Sequence, residues 1–411
     1  MPETTRPALP QNPPAEPTSR GSAWEVLGAF FKLGLVSFGG PVAHLGYFRH
    51  EFVERRQWLD DRRYADLVAL CQFLPGPASS QVGMALGLGR AGWLGALAAW
   101  VGFTLPSAVA LILFAFGVAQ WPGLAASGAI HGLKIVAVAV VAQAVMGMAR
   151  SLCPDRLRAA LAVAAMLTVL AVPTALGQVG AIALGGLVGR LAVRPQPLAP
   201  ALHRHALVSK RLGAVLLALF GLLLVALPAW AAVTDSLLAS ALAVFYRAGA
   251  LVFGGGHVVL PLLQSGVVPP GWVSHDTFVA GYGAAQAVPG PLFTFAAYLG
   301  AAMPAPLGGW VGGFALLLAV FLPAFLLIAG ALPFWEALRQ RVSAQQAMAG
   351  VNAAVVGVLA AALYDPVWTS AIHQAADLGL ALAAFGLLVW GRVPPLIVVA
   401  AVVALATLLP R

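Results

Sequence analysis

The sequence predicts an all-α, polytopic membrane protein made of two homologous halves that lie in the bilayer as an inverted-topology repeat with broken, re-entrant helix hairpins. Three observations carry that expectation. The chain of 411 residues is 61% hydrophobic and 9% charged, with a mean hydropathy of +0.90; soluble domains carry roughly a quarter charged residues. Apolar segments of roughly 20 residues, long enough to cross about 30 Å of hydrocarbon, recur from Trp24 onward. Finally, one set of motifs occurs twice, about 215 residues apart, between loops of reversed charge.

Residues 1–23 are rich in proline and polar groups and lack the apolar core of a cleavable signal peptide, so they read as a disordered cytoplasmic tail. The N-terminal repeat, 24–190, opens with Phe30-Phe31-Lys32-Leu33-Gly34-Leu35-Val36-Ser37-Phe38-Gly39-Gly40-Pro41, a cation in an apolar run that two glycines and a proline then break. Five arginines lie within 49–63. If that loop and the tail are both cytoplasmic, 24–48 must enter and leave by one side, with Ser37-Phe38-Gly39-Gly40-Pro41 as its turn. Residues 64–89, flanked by Arg63 and Arg90, turn back in the same way at Leu74-Pro75-Gly76-Pro77. Full spans are expected near 93–119 and 131–148, followed by a hairpin over 159–189 turning at Pro173.

A basic loop and a connector helix at 212–233 make up 191–235, and the second repeat takes 236–411. It repeats the opening motif as Phe245-Tyr246-Arg247-Ala248-Gly249-Ala250-Leu251-Val252-Phe253-Gly254-Gly255-Gly256. Gln286-Ala287-Val288-Pro289-Gly290-Pro291 answers Gln72-Phe73-Leu74-Pro75-Gly76-Pro77, Trp310-Val311-Gly312 answers Trp93-Leu94-Gly95, and Pro323 answers Pro106. Loop charge alternates between the halves. Loop 49–63 is basic where 264–277 has no Lys or Arg, 120–130 has none where 336–343 holds Arg339 and Arg341, and 150–158 is basic where 364–374 is not. By the positive-inside rule the halves are inverted, with the N-terminus cytoplasmic and Arg411 periplasmic. Counting this way gives about nine full spans and four hairpins.

A cation at membrane depth costs several kcal/mol unless paired or hydrated, so Lys32 and Arg247 are the first candidates for function; the plainer alternative is snorkelling to an interface. Each stands six residues before a Phe-Gly-Gly, at Phe38-Gly39-Gly40 and Phe253-Gly254-Gly255. Glycine permits close backbone approach, and consecutive N–H groups at a broken helix form an anion-binding nest. Pro75-Gly76-Pro77 and Pro289-Gly290-Pro291 break two further helices. Gln72 and Gln286 before them, and Ser79, Ser80 and Thr294 after them, are neutral donors suited to an oxyanion or to interhelical bonding. Lys134, opposite Asn352, is a secondary candidate. His44 and His257 follow the glycines out of register by two residues. The acids fall in the tail, loops or segment ends, with Glu25 and Asp66 nearest the interior, so a carboxylate proton relay has no obvious member. Cys71 and Cys153 lie at neither disulfide-framework nor metal-ligand spacing. No metal cluster, activated nucleophile or carboxylate pair points to an enzyme, and no cofactor is expected.

The run from Lys32 to Pro41, the basic loop through Trp58-Leu59, the two Pro-Gly-Pro motifs and the second Phe-Gly-Gly resemble the chromate ion transporter family in its long, two-domain form. The resemblance covers nearly all of the chain from Trp24. It implies an inner-membrane secondary transporter that exports chromate and confers chromate resistance, with sulfate as a related anion. The second Phe-Gly-Gly lacks a following proline, so its bend need not copy the first. A transporter of sulfate or another oxyanion, or an anion channel, is the alternative within transport, and a membrane enzyme such as a chromate reductase is one outside it. The partners expected are the oxyanion, the lipid bilayer and, as an assembly, a homodimer; the net charge of +9, spread over loops, is not taken to mean nucleic acid.

Overall fold

The computed structural model describes residues 21–37, 40–120, 128–194, 208–252, 258–335, 337, 341–369 and 371–408. The tail expected at 1–23 falls almost wholly outside this set, as do Phe38, Gly39, Phe253, Gly254, Gly255 and His257.

The described chain is helical and without strands, as composition requires. Sixteen α-helices follow one another: α1 (Ala23–Val36), α2 (Gly40–Arg49), α3 (Asp61–Phe73), α4 (Ala78–Gln120), α5 (Gly128–Leu152), α6 (Arg156–Ala171), α7 (Ala175–Ala192), α8 (Lys210–Thr234), α9 (Leu237–Ala250), α10 (Val259–Val267), α11 (His275–Ala287), α12 (Phe295–Ala302), α13 (Gly309–Ala331), α14 (Val342–Ala362), α15 (Ala375–Val389) and α16 (Pro395–Leu408). Five apolar stretches are long enough to cross a bilayer: Ala78–Val118, Gly128–Arg150, Lys210–Thr234, Gly309–Phe334 and Val342–Asp365. Four of the nine spans expected from the sequence are shorter. α6, α7, α15 and α16 have 16, 18, 15 and 14 residues, about 21–27 Å at 1.5 Å per residue against about 30 Å of hydrocarbon. Their breaks come at Val172-Pro173, where Thr174 caps α7 through Gly177 N, and at Gly391 to Pro394.

The broken segments of the first half begin and end together. Ser22 caps α1 by accepting from Glu25 N, and the 14-residue helix runs only to Ser37, about 21 Å. After α2 a π-helical turn, His50–Arg55, leads to Asp60, whose carboxylate caps α3. α3 stops at Phe73, and α4 bends sharply at Ala91-Gly92. Glu25 at the start of α1 meets Arg90 at 3.2 Å and Arg56 at 3.9 Å. Both guanidiniums lie over the Trp58 ring, Arg90 5.4 Å and Arg56 5.8 Å from its centroid. Three polar chain segments far apart in sequence thus meet at one place.

Packing behind that face is aromatic and close. Val26, Phe30 and Leu33 recur at i, i+4 and i+7 on the buried side of α1, while Phe31, Leu35 and Val36 are exposed. Phe30 stacks on Phe52 at 4.8 Å, fastening α1 to the π-helical turn, and Phe48 meets Phe103 at 5.0 Å, fastening α2 to α4. α1 comes so near α4 that a Cβ on Gly34 would lie 2.7 Å from Gly102 O; Gly249 on α9 touches Val320 O on α13 in the same way. Backbone contact through small residues is how helices associate where lipid supplies no hydrophobic drive. α8 packs on α9, with Tyr246 Oη donating to Phe220 O at 2.9 Å, and leaves Val215, Leu222 and Val225 on its outer side.

Candidate anion site at the crossing of the broken helices

The two Pro-Gly-Pro turns each grip the opposite half. Gly76 N donates to Val252 O at 2.6 Å, and Gly290 N donates to Ser37 O at 2.9 Å. Val252 and Ser37 are the residues immediately before Phe253 and Phe38, so each turn is tied to the shoulder of the other half's Phe-Gly-Gly. Both glycines have left-handed backbone, φ +118° and +105°, which an L side chain adopts only with strain. Ser37 ends α1 by donating its own N–H to Leu33 O at 2.8 Å.

A cavity of about 220 Å³ opens beside the Gly290–Ser37 crossing. Ser37 and Gly40 bound it from the first half, Gln286 and Gly290 from the second, Gln143 from α5, and Arg392 from the connection between α15 and α16. Ser37 is completely buried, its Oγ has no hydrogen-bond partner, and Gln286 Nε2 has none either. Unpaired buried polar groups cost about 1–3 kcal/mol each, so such atoms gathered at one cavity call for a polar occupant.

A further set of buried polar side chains, outside the cavity wall, lies in the first half. His44 Nδ1 lies 3.3 Å from Ser79 Oγ, Gln81 Nε2 donates to Pro75 O at 2.8 Å, and Ser107 Oγ donates to Thr104 O at 3.0 Å. His44 Nε2, Ser80 Oγ, Gln81 Oε1 and Thr104 Oγ1 are buried without partners. In the second half Val252, Phe295, Phe321 and Ala324 stand where Ser37, Gln81, Thr104 and Ser107 stand in the first, and Thr294 spends its hydroxyl on Pro291 O at 2.8 Å. The motifs are duplicated; the polar chemistry is not.

The other sequence candidates are dispersed. Lys32 is exposed on α1 and Arg247 half-buried on α9; neither lines the cavity, and among the described residues neither forms an ion pair. Gln72 is exposed and faces a different cleft with Tyr64, Val68 and Arg49. Pro75, Gly76, Pro77, Pro289 and Pro291 form the turns without facing the cavity, which Gly290 does. Lys134 is largely buried and ion-paired with Asp276.

Three features were missed by sequence reasoning. Arg392 reads there as one more loop cation. Gln143 belongs to no repeated motif and is not singled out there. Asp377 is 2% exposed, deeper than Glu25 or Asp66, and accepts from His373 N at 3.0 Å and Gln374 N at 3.2 Å while His131 Nε2 lies 2.7 Å away. Its signal was the capping box formed by Gln374 and Asp377 at the start of α15.

The family model described as "Chromate transporter" matches residues 24–190 and 239–408. A chromate transport protein of Pseudomonas aeruginosa is 31% identical over 83% of this chain and 80% of its own length. A probable chromate transport protein of Synechococcus elongatus is 28% identical over 81% and 82%, and a chromate transport protein of Cupriavidus metallidurans 27% over 81% and 80%. No solved structure matches the chain. With its family match covering both halves and its relatives aligned over four-fifths of their length, this polytopic helical membrane protein belongs to the chromate transporter family.

Proposed function

We propose that the chain is a secondary transporter of the bacterial inner membrane that exports chromate from the cytoplasm and so confers chromate resistance. The observation that carries this reading is the reciprocal bonding of Gly76 to Val252 and of Gly290 to Ser37 beside a cavity with unpaired donors, in a chain whose relatives are named chromate transport proteins. On this reading 24–190 and 236–411 are inverted repeats joined by 191–235, with the substrate held between broken helices, where irregular backbone is tolerated because it lines a polar cavity. Lys32 and Arg247, six residues ahead of each Phe-Gly-Gly, supply the field that favours a dianion at that depth. An inside-negative potential drives the export: two charges through 100 mV are worth about 4.6 kcal/mol, roughly three decades of concentration. Sulfate, with the same charge and shape, is the related substrate.

The deciding experiment is chromate uptake into inverted membrane vesicles under an imposed potential, with sulfate as competitor. Saturable uptake that follows the potential is expected. Non-saturating flux would point to a channel, and chromium reduction without uptake to an enzyme.

A further inference from the structure

The cation that lines the cavity comes from neither duplicated motif. Arg392 lies in the break between α15 and α16, where Trp390 N and Gly391 N both donate to Gly386 O and Val393 N to Leu387 O, at 2.9, 3.1 and 3.0 Å. Its backbone is left-handed, φ +51°, a conformation that non-glycine residues adopt sparsely and that concentrates at functional positions. An exposed loop arginine by itself would need no explanation. This one, however, borders the same cavity as the buried, unpartnered Ser37 Oγ and Gln286 Nε2, and among the described residues it has no ion-pair partner. No carboxylate lines the cavity. Guanidinium, amide N–H and hydroxyl are all donors, and a chamber of donors without acids suits a tetrahedral oxyanion and disfavours a cation. The corresponding turn of the first half, Val172-Pro173-Thr174, has no cation.

We infer that Arg392 is the charge-bearing ligand at the mouth of a single, asymmetric oxyanion site, capturing the dianion and passing it inward to Ser37 Oγ and Gln286 Nε2. This rests on the oxyanion-transport reading and deepens it by naming the capturing residue. By loop charge Arg392 is on the cytoplasmic side, as is the end of α5 that bears Gln143, so the cavity is the loading side of an exporter. A planar guanidinium grips an oxyanion through two parallel bonds, which an ammonium does not reproduce.

Two measurements on the full chain test it. In inverted vesicles, Arg392→Gln should raise the KM for chromate about ten- to a hundredfold, the worth of a charge-assisted contact, with the maximal rate much less changed; Arg392→Lys should fall between. Separately, Val393→Cys, at the cavity wall with Arg392 kept, in a background of Cys71→Ser and Cys153→Ser should react with an impermeant maleimide; sulfate, a dianion that does not oxidise thiols, should slow the reaction more than chloride at equal ionic strength, and adding Arg392→Gln should remove that difference. Unchanged KM in Arg392→Gln, or equal labelling rates in sulfate and chloride, overturns the assignment. If the unmodified protein moves no oxyanion, the transport reading fails while sulfate protection at position 393 still decides whether the cavity binds one. An Arg392→Gln protein that does not accumulate leaves the labelling comparison as the deciding result.

Discussion

Replacing Gly290 by alanine tests the crossing that organises the site. Two costs follow from the structure. At φ +105° an L side chain is strained, by about 1–3 kcal/mol for a sparsely populated backbone region. The new Cβ would also lie 2.9 Å from Ser107 Oγ and 3.2 Å from Phe103 O. Since Phe103 O is helix backbone, relief must come from displacing the turn, which lengthens the 2.9 Å bond from Gly290 N to Ser37 O and forfeits about 1 kcal/mol more. The expected loss is therefore about 2–4 kcal/mol, read as a lower unfolding temperature of the purified protein and as slower chromate uptake. Ser107→Ala removes the nearer contact while leaving the φ strain, so the double variant should recover part of the loss. Gly290→Ala with unchanged melting and unchanged uptake would refute the reasoning, as would a Ser107→Ala change that rescues nothing.

Lys32→Gln and Arg247→Gln are each expected to abolish chromate resistance in cells that still accumulate the protein, with Arg247→Lys milder than Arg247→Gln; normal resistance in both Gln variants would show that these cations only snorkel. Cysteines replacing Gln57 and Ser265, in a background lacking Cys71 and Cys153, should label with impermeant maleimide from opposite sides of the membrane, and labelling from one side would exclude inverted repeats. In the π-helical turn after α2, burial alone would raise the Glu51 carboxyl, but hydrogen bonds from Arg56 at 2.6 Å and Arg55 at 2.9 Å outweigh it and hold the group below its ordinary value. Its contribution is therefore present above the carboxylate's unfolded pKa and disappears as pH falls through the lower native one. Glu51→Gln should lower the melting temperature at neutral pH and flatten its decline in acid, and parallel acid limbs for the two proteins would argue against that linkage.

Composition and motif spacing alone determined the membrane-helical class, the positions at which helices break and the duplication of the breaking motifs, because these depend on local chemistry: apolar run length, proline's missing donor and glycine's freedom at φ > 0. Ser37 and Gln286 were legible as candidates for the same reason. Tertiary structure decided which break meets which. Gly290 lies 253 positions from Ser37, and nothing near either residue in sequence specifies that bond. The same non-locality separates the twin glutamines, since Gln286 borders the cavity and Gln72 an outer cleft, although their sequence contexts match. It also gives Lys134 a counterion in Asp276, 142 positions away. Arg392 could not be told from the other loop arginines by charge, because a cation obeying the positive-inside rule and a cation bordering a cavity look alike until the break between α15 and α16 is packed beside the crossing.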